Sequence, residues 1–407
     1  MSEPPRVRRV QEALEAFRPG RRTGVEQVAL ADAQGRVPSA PVRAETALPG
    51  FARSAVDGFA IVAADAASAS VQRPAALELV GTQRTGDPPL GELESTTTVA
   101  IPTGGALPAG ADAVVMLEDV ELEGGRTVRI SRAAPAGQHV VGEDDDFAVG
   151  DVLVEPGRTI GARELAALSA AGITRLEVWK RPRVAIISTG DEVVPPETPA
   201  LRPGQVRDAI APAIEVLVRQ AHGTPVRRGI VRDDEQALDE ACRAALADCD
   251  VVVLSAGSSV GERDLTARVV ERLGPPGIWC HGLAMRPGRP TLLAEIGGVP
   301  LIGLPGNPLS ALVVFELIGG PVVRRLGGLT HEPARPRTRG VLAHDIASAA
   351  GRLDVVQVRL VDGAVHALPR GSALISTLVR ADGQIVIPEE LDGLAAGEPV
   401  DVWMPAT

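Results

Sequence analysis

Apolar residues recur at Val7, Val10, Leu14 and Phe17 with Arg and Glu between them, and Pro19-Gly20 closes the run. That spacing predicts an amphipathic helix over 7–17. From Pro49 to Val140 the period shortens. Runs such as Val99-Ala100-Ile101, Ala113-Val114-Val115-Met116 and Thr127-Val128-Arg129-Ile130 are separated by glycines, the pattern of a small β-rich domain. Helical spacing returns over Gly161 to Gly172. The β-rich piece therefore reads as an insertion within a discontinuous helical domain.

After Lys180-Arg181-Pro182 the pattern alternates. Strands are predicted at Val184 to Ser188, Arg228 to Arg232 and Val251 to Ser255, with helices at Ala211 to Ala221, Glu235 to Ala247, Leu265 to Leu273 and Leu309 to Leu317. Continuous apolar strands between amphipathic helices predict a parallel sheet covered on both faces, a three-layer α/β domain. Glu332 to Arg337 carries two prolines and reads as a linker. Beyond it Leu353 to Val361 and Ala364 to Ala367 flank Asp362-Gly363, a hairpin signal, and Asp382-Gly383 offers a second. The expected architecture is thus multidomain α/β plus β. A discontinuous helical and linker domain covers 1–46 and 141–178, a β-rich insertion 47–140, the α/β domain 179–328, and a small β-barrel-like domain 334–407.

Composition narrows the function classes. The 44 glycines and 34 prolines among 407 residues favour turns and short strands over long bundles. A net charge of -11 provides no basic footprint for nucleic acid or an anionic membrane, so an anionic substrate requires a local cluster of cations or N–H groups. Cys242, Cys249 and Cys280 include no Cys-x-x-Cys pair and read as small core residues in a reducing compartment. Met1-Ser2-Glu3-Pro4-Pro5 lacks a signal-peptide apolar core, and no run reaches the roughly 18 apolar residues of a membrane span. A soluble, cytoplasmic protein is expected. The six histidines show no i, i+4 metal spacing.

Candidate chemistry sits in loops. In a parallel sheet ligands bind beyond the carboxyl ends of the strands, where this chain carries Ser188-Thr189-Gly190-Asp191-Glu192, Ser255-Ala256-Gly257-Ser258-Ser259-Val260-Gly261-Glu262-Arg263-Asp264 and Leu304-Pro305-Gly306-Asn307-Pro308-Leu309-Ser310. The small residues of the second loop allow N–H groups to form an anion-binding concavity, and no Gly-Lys-Ser/Thr follows as in a Walker loop. Asn307 is open to two readings, a helix cap or a substrate contact. Met285-Arg286-Pro287-Gly288-Arg289-Pro290 places Arg286 and Arg289 on a Pro-Gly turn, either an oxyanion clamp or a solvated basic loop.

The most specific stretch is Leu48-Pro49-Gly50-Phe51-Ala52-Arg53-Ser54-Ala55-Val56-Asp57-Gly58-Phe59-Ala60, with a single carboxylate in a tight glycine turn. It resembles the S-A-M-D-G-Y-A signature of the molybdopterin molybdenumtransferases, the family of MoeA and the gephyrin E domain, with Val56 and Phe59 at the Met and Tyr positions. Further stretches resemble family elements in the expected order. Thr103-Gly104-Gly105 through Asp112 resembles T-G-A-x-L-P-x-G-A-D, Gly142-Glu143-Asp144 resembles G-E-D, and Arg232-Asp233-Asp234 resembles R-D-D. Residues 257–264 resemble G-G-V-S-V-G-x-x-D with serines at 258 and 259, and Leu304 to Pro308 matches L-P-G-N-P. Two departures stand out. Arg286 and Arg289 occupy the lysine positions of K-P-G-K-P, and Gly204 to Ile210 keeps Asp208 of G-Q-I-x-D-S-N but carries Ala209 and Ile210 in place of Ser and Asn.

The resemblance implies a molybdopterin-binding α/β domain in an elongated homodimer, with each active site between the α/β domain of one subunit and the β-rich insertion of the other. It implies joining of molybdate to adenylylated molybdopterin with release of AMP, using Mg²⁺. Asp57, Glu192, Asp264, Arg286 and Arg289 are the expected catalytic residues. Substrate contacts are expected from Thr103, Thr189, Gly190, Asp191, Asp208, Gly257, Ser258, Ser259, Gly261, Pro305, Gly306, Asn307, Pro308 and Ser310, and metal contacts from Asp57, Asp144, Asp233 and Asp234. A molybdopterin adenylyltransferase and downstream cofactor-processing proteins or molybdoenzymes are the partners this pathway suggests. Two alternatives stand beside it: a weakened paralogue that binds or delivers cofactor, and a molybdopterin adenylyltransferase. Tungstate, nearly isosteric with molybdate, is not separated from it by any residue.

Overall fold

A computed structural model describes residues 7–18, 21–255, 260–371 and 374–405, without the side chains of 260–264. The central unit is a six-stranded sheet in the spatial order Thr224–Val231, Arg183–Thr189, Val251–Ser255, Val299–Leu304, Leu292–Ile296, Pro276–His281. The first four strands are mutually parallel. The expected all-parallel sheet is corrected here, because Leu292–Ile296 runs antiparallel to both of its neighbours. Gly297 and Gly298, both at positive φ, make the two-residue turn joining Ile296 to Val299, and that glycine pair is the signal that distinguishes a hairpin from a helical crossover. Helices Ile210–Gln220, Pro308–Val314 and Gly320–Leu326 bury their apolar faces on one side of this sheet, and Glu235–Asp248 and Val260–Leu273 cover the other.

Register puts the loaded loops at one edge. Thr189 pairs with Val231, Ser188 with Ser255, and Ser255 with Leu304, so the four parallel strands end side by side. His281 pairs with Leu292, which pairs with Gly303, and this brings the 282–291 segment to the same edge.

The inserted domain is a second six-stranded sheet, ordered Ala113–Met116, Gly58–Ile61, Thr97–Ile101, Ala75–Thr82, Thr127–Ile130, Val120–Glu123. Its core is Phe59, Ile61, Leu77, Val115, Val128 and Ile130. Chain on either side of it closes into one body. Val25–Ala29 pairs with Arg175–Trp179, Val42–Arg43 pairs with Val152–Val154, and Val154, Ile160, Leu168 and Val178 share a core. That body holds more strand than helix; Ala162–Ala170, where helical spacing is expected, is its one sustained α-helix among the described residues. The N-terminal helix, Val10–Ala16, packs elsewhere. Val10, Ala13 and Phe17 bury against the α/β core beside Leu283 and Met285.

At the C-terminus Leu353–Val361, Ala364–Ala367, Arg337–Leu342, Pro399–Trp403 and Gly383–Ile387 pair in a closed ring. Asp362-Gly363 is the hairpin turn expected. Asp382-Gly383 is not one, since it follows the short helix Ile375–Arg380, and the Asp382 carboxylate accepts the Leu360 N–H at 2.8 Å. A two-residue strand from the α/β domain, Met285–Arg286, joins this ring in parallel with Leu353–Asp354.

Candidate functional site

The common sheet edge opens into a cleft of about 590 Å³ against the C-terminal ring. From the α/β side it is lined by Arg286, Arg289, Pro305, Asn307 and Ser310, and from the ring by Arg352 and Arg370, over apolar walls that include Leu283, Val355 and Leu368. Gly288 sets the shape of the arginine turn. Its φ is +115°, and an added Cβ would lie 2.6 Å from Val314 Cγ2, so the backbone must lie close on the helix and only glycine fits. Thr291 Oγ1 donates to Gly288 O at 2.6 Å and pins the loop from behind. Arg286 and Arg289 remain exposed at its tip.

The neighbouring loops are held by their own polar contacts. Thr189 is buried and its Oγ1 donates to Ser255 O at 3.0 Å. Gly190 has φ +135°, with Glu192 Oε2 lying 2.8 Å from where a Cβ would sit. The Asp191 N–H donates to Asp233 Oδ2 at 3.2 Å, and Arg232 lies 3.5 Å from the Asp191 carboxylate. Asp208 is buried and committed internally. Its Oδ2 accepts Ser188 Oγ at 2.7 Å, and its Oδ1 accepts the N–H groups of Ile210 and Ala211 at 3.1 and 3.0 Å, capping the helix start. Asn307 occupies the N-cap position of Pro308–Val314, but its side chain makes no capping bond, and it lines the cleft beside Pro305, with Gly306 between them. Gly257, Ser258 and Ser259 lie outside the described residues, as do the side-chain positions at Gly261 and Asp264.

Asp57 is not among the residues lining this cleft. It sits on the inserted domain immediately before Gly58–Ile61, where the Thr103 N–H and Thr103 Oγ1 both donate to its Oδ1, at 2.7 and 3.0 Å. Those bonds, the backbone one first, hold the carboxyl below its ordinary pKa. The turn is fixed from both sides: Ser54 N donates to Gly105 O and Gly104 N donates to Ser54 O. Gly58 is obligatory, because a Cβ there would overlap Val115 O. Thr103 therefore orients Asp57 within this chain.

Three family models match in succession: the MoeA N-terminal region (domain I and II) over residues 8–172, the probable molybdopterin binding domain over 185–325, and the MoeA C-terminal region (domain IV) over 339–404. The chain is 30% identical over 392 residues to a molybdopterin molybdenumtransferase of Haemophilus influenzae, covering 93% of this chain and 94% of that one. It belongs to the molybdopterin molybdenumtransferase family. A Nostoc relative of the same name is 35% identical, with 83% and 78% covered. The crystal structure of a molybdopterin biosynthesis MoeA protein from Pyrococcus horikoshii superposes with a TM-score of 0.84 at 34% identity, over 98% of this chain and 99% of that one.

Within this MoeA-type chain the expected metal set does not gather. Asp57 and Asp144 belong to exposed turns of the N-terminal region, Asp233 accepts the Asp191 N–H, and Asp234 Oδ1 caps Glu235–Asp248 by accepting Ala237 N–H at 2.8 Å. Among the described residues no three His, Cys, Asp or Glu side chains are grouped to hold a metal ion. Arg352 and Arg370, in contrast, are cleft residues absent from the sequence expectation. Their signal lies in tertiary structure alone, since they are 18 residues apart in sequence, on opposite sides of a hairpin. All three cysteines are buried, with Cys242 and Cys280 pushed up to about 12 by desolvation, in keeping with inert core residues.

Proposed function

We infer that this chain transfers molybdenum from molybdate to adenylylated molybdopterin and releases AMP, as a step of molybdenum cofactor biosynthesis. The observation that carries the reading is the cleft lined by four arginines, two from each domain, together with Pro305, Asn307 and Ser310. A tetrahedral oxyanion offers paired acceptors that match the planar fork of arginine, and the apolar walls strengthen those contacts by excluding water. Arg286 and Arg289 bind and orient the oxyanion or the phosphate being cleaved. The Asn307 side chain, uncommitted to the helix it precedes, contributes polar contacts to the substrate. Asp57 stays ionised across the neutral range and acts from the β-rich domain of a second subunit, so the functional unit is a homodimer. Among the described residues no side chains are grouped into a cage for Mg²⁺; substrate phosphate oxygens would hold such an ion, which would supply charge neutralisation there. A cytoplasmic location and exchange of pterin with a molybdopterin adenylyltransferase complete the proposal.

The decisive experiment is anaerobic incubation of the purified protein with adenylylated molybdopterin, Mg²⁺ and molybdate. AMP release coupled to reconstitution of a molybdenum-free apoenzyme is expected from the wild type, and loss of both, by about 100-fold or more, from Asp57→Ala. Pterin binding with no AMP release would make the chain a carrier, and formation of adenylylated molybdopterin from ATP would make it an adenylyltransferase. An Asp57→Ala protein with full insertion activity would remove Asp57 from the mechanism.

A further inference from the structure

We infer that Asp354 is a positioning residue that aims Arg352 and Arg370 into the cleft and so sets its affinity for the oxyanion; this rests on the oxyanion reading of the cleft given above. Asp354 is fully buried, at 0% exposure, on the strand Leu353–Val361. Arg352 Nη2 donates to its Oδ2 at 3.4 Å, and Arg352 Nε lies 2.9 Å from its Oδ1 as an ion pair without hydrogen-bond alignment. Arg370 Nη2 pairs with Oδ2, while Arg370 Nη1 donates to Ala347 O. The same aspartate stands in register with Arg286 across the two-residue ladder that joins the domains. One buried carboxylate thus touches both arginines of the ring, and its own backbone stands opposite Arg286 of the arginine loop.

An unpaired carboxylate at this depth is strongly unfavourable, so the two guanidiniums are held against it before any ligand arrives. Each guanidinium carries five N–H donors in a fixed fork, and the contacts to Asp354 and Ala347 occupy only part of each set. Long arginine side chains otherwise lose rotamer freedom when they close on an anion, and pre-ordering removes that cost. Asp354 also offsets repulsion among four like charges lining one cleft. Its action is on ligand affinity through the arginines, not on the reacting atoms.

The test is Asp354→Asn, which keeps size and removes the charge. In the coupled AMP-release assay, KM for molybdate should rise roughly tenfold, the scale of one lost charge-assisted hydrogen bond, while kcat and the KM for adenylylated molybdopterin stay near wild type. Arg370→Lys is the second variant. It retains a cation in the cleft but loses the fork to Asp354 and Ala347, so it should raise the molybdate KM in the same way even where the asparagine variant folds poorly. Calorimetric titration with molybdate and with tungstate reads affinity without turnover and should show the same weakening. Unchanged molybdate affinity in both variants, or a fall in kcat alone, would overturn the positioning role and leave the oxyanion cleft standing. A wild-type protein that binds neither oxyanion would overturn the cleft reading, and this inference with it.

Discussion

At the scale of single residues, function here depends on how a side chain's hydrogen bonds are allotted. Asp57 and Asp208 both sit in family-like motifs, yet Asp208 is buried with both oxygens used by its own fold, whereas Asp57 is exposed with only Oδ1 engaged. The Thr103 bonds favour the ionised form of Asp57, so the folded protein takes up that proton less readily than the unfolded chain. Any stabilisation from this linkage is fully present above the ordinary carboxylate pKa and is lost as pH falls through the depressed folded value. Thr103→Val removes the lesser, hydroxyl contribution and keeps the N–H. The Asp57 titration midpoint, followed by carboxyl carbon-13 resonances, should therefore rise only part of the way to its ordinary value. A midpoint that does not move would show that the hydroxyl contributes nothing.

At the scale of elements, motif residues divide into those that build loops and those that face the cleft. Asp208 ties the end of Arg183–Thr189 to the start of Ile210–Gln220. Asp208→Ala should accordingly lower stability by about 2 kcal/mol, from a lost cap and a buried hydroxyl left without its acceptor, as read by urea unfolding. A variant of wild-type stability with weakened pterin binding would instead give Asp208 a substrate contact. Much of this layer was legible beforehand. The strands at 184–188 and 251–255, the helices between them and the Asp362-Gly363 hairpin all lie where hydrophobic period and turn residues put them. The antiparallel direction of Leu292–Ile296 escaped because a five-residue stretch with four apolar positions has no readable direction, even though Gly297-Gly298 marked its turn. The helical spacing over Gly161 to Gly172 does form the helix Ala162–Ala170, whereas the strands around it have no local signal, because short ladders such as Val42–Arg43 with Val152–Val154 join segments more than 100 residues apart.

Across the whole molecule, the two halves of the candidate chemistry lie apart: the cleft between the α/β and C-terminal domains, and Asp57 on a separate sheet. The proposed homodimer, bringing the β-rich domain of one subunit to the cleft of the other, would resolve that separation. Mixing Asp57→Ala subunits with Arg286→Ala/Arg289→Ala subunits, each inactive alone, should restore about a quarter of wild-type activity on random reassortment, because half the dimers then hold one intact site. Light scattering should report a dimer; a monomer with full activity, or no complementation after verified subunit exchange, would place the whole site within one chain. What sequence by itself determined is the family, the order of its motifs and the loops that carry them, because these depend on local turn chemistry and on residue identity at fixed spacing. What tertiary structure decided is which of those residues meet. Register of the parallel strands brings loops separated by more than 100 residues to one edge, closure of the C-terminal ring delivers Arg352 and Arg370 to the arginine loop, and burial turns Asp354 and Asp208 into internal anchors. Those outcomes follow from long-range packing and desolvation, which a linear pattern does not encode.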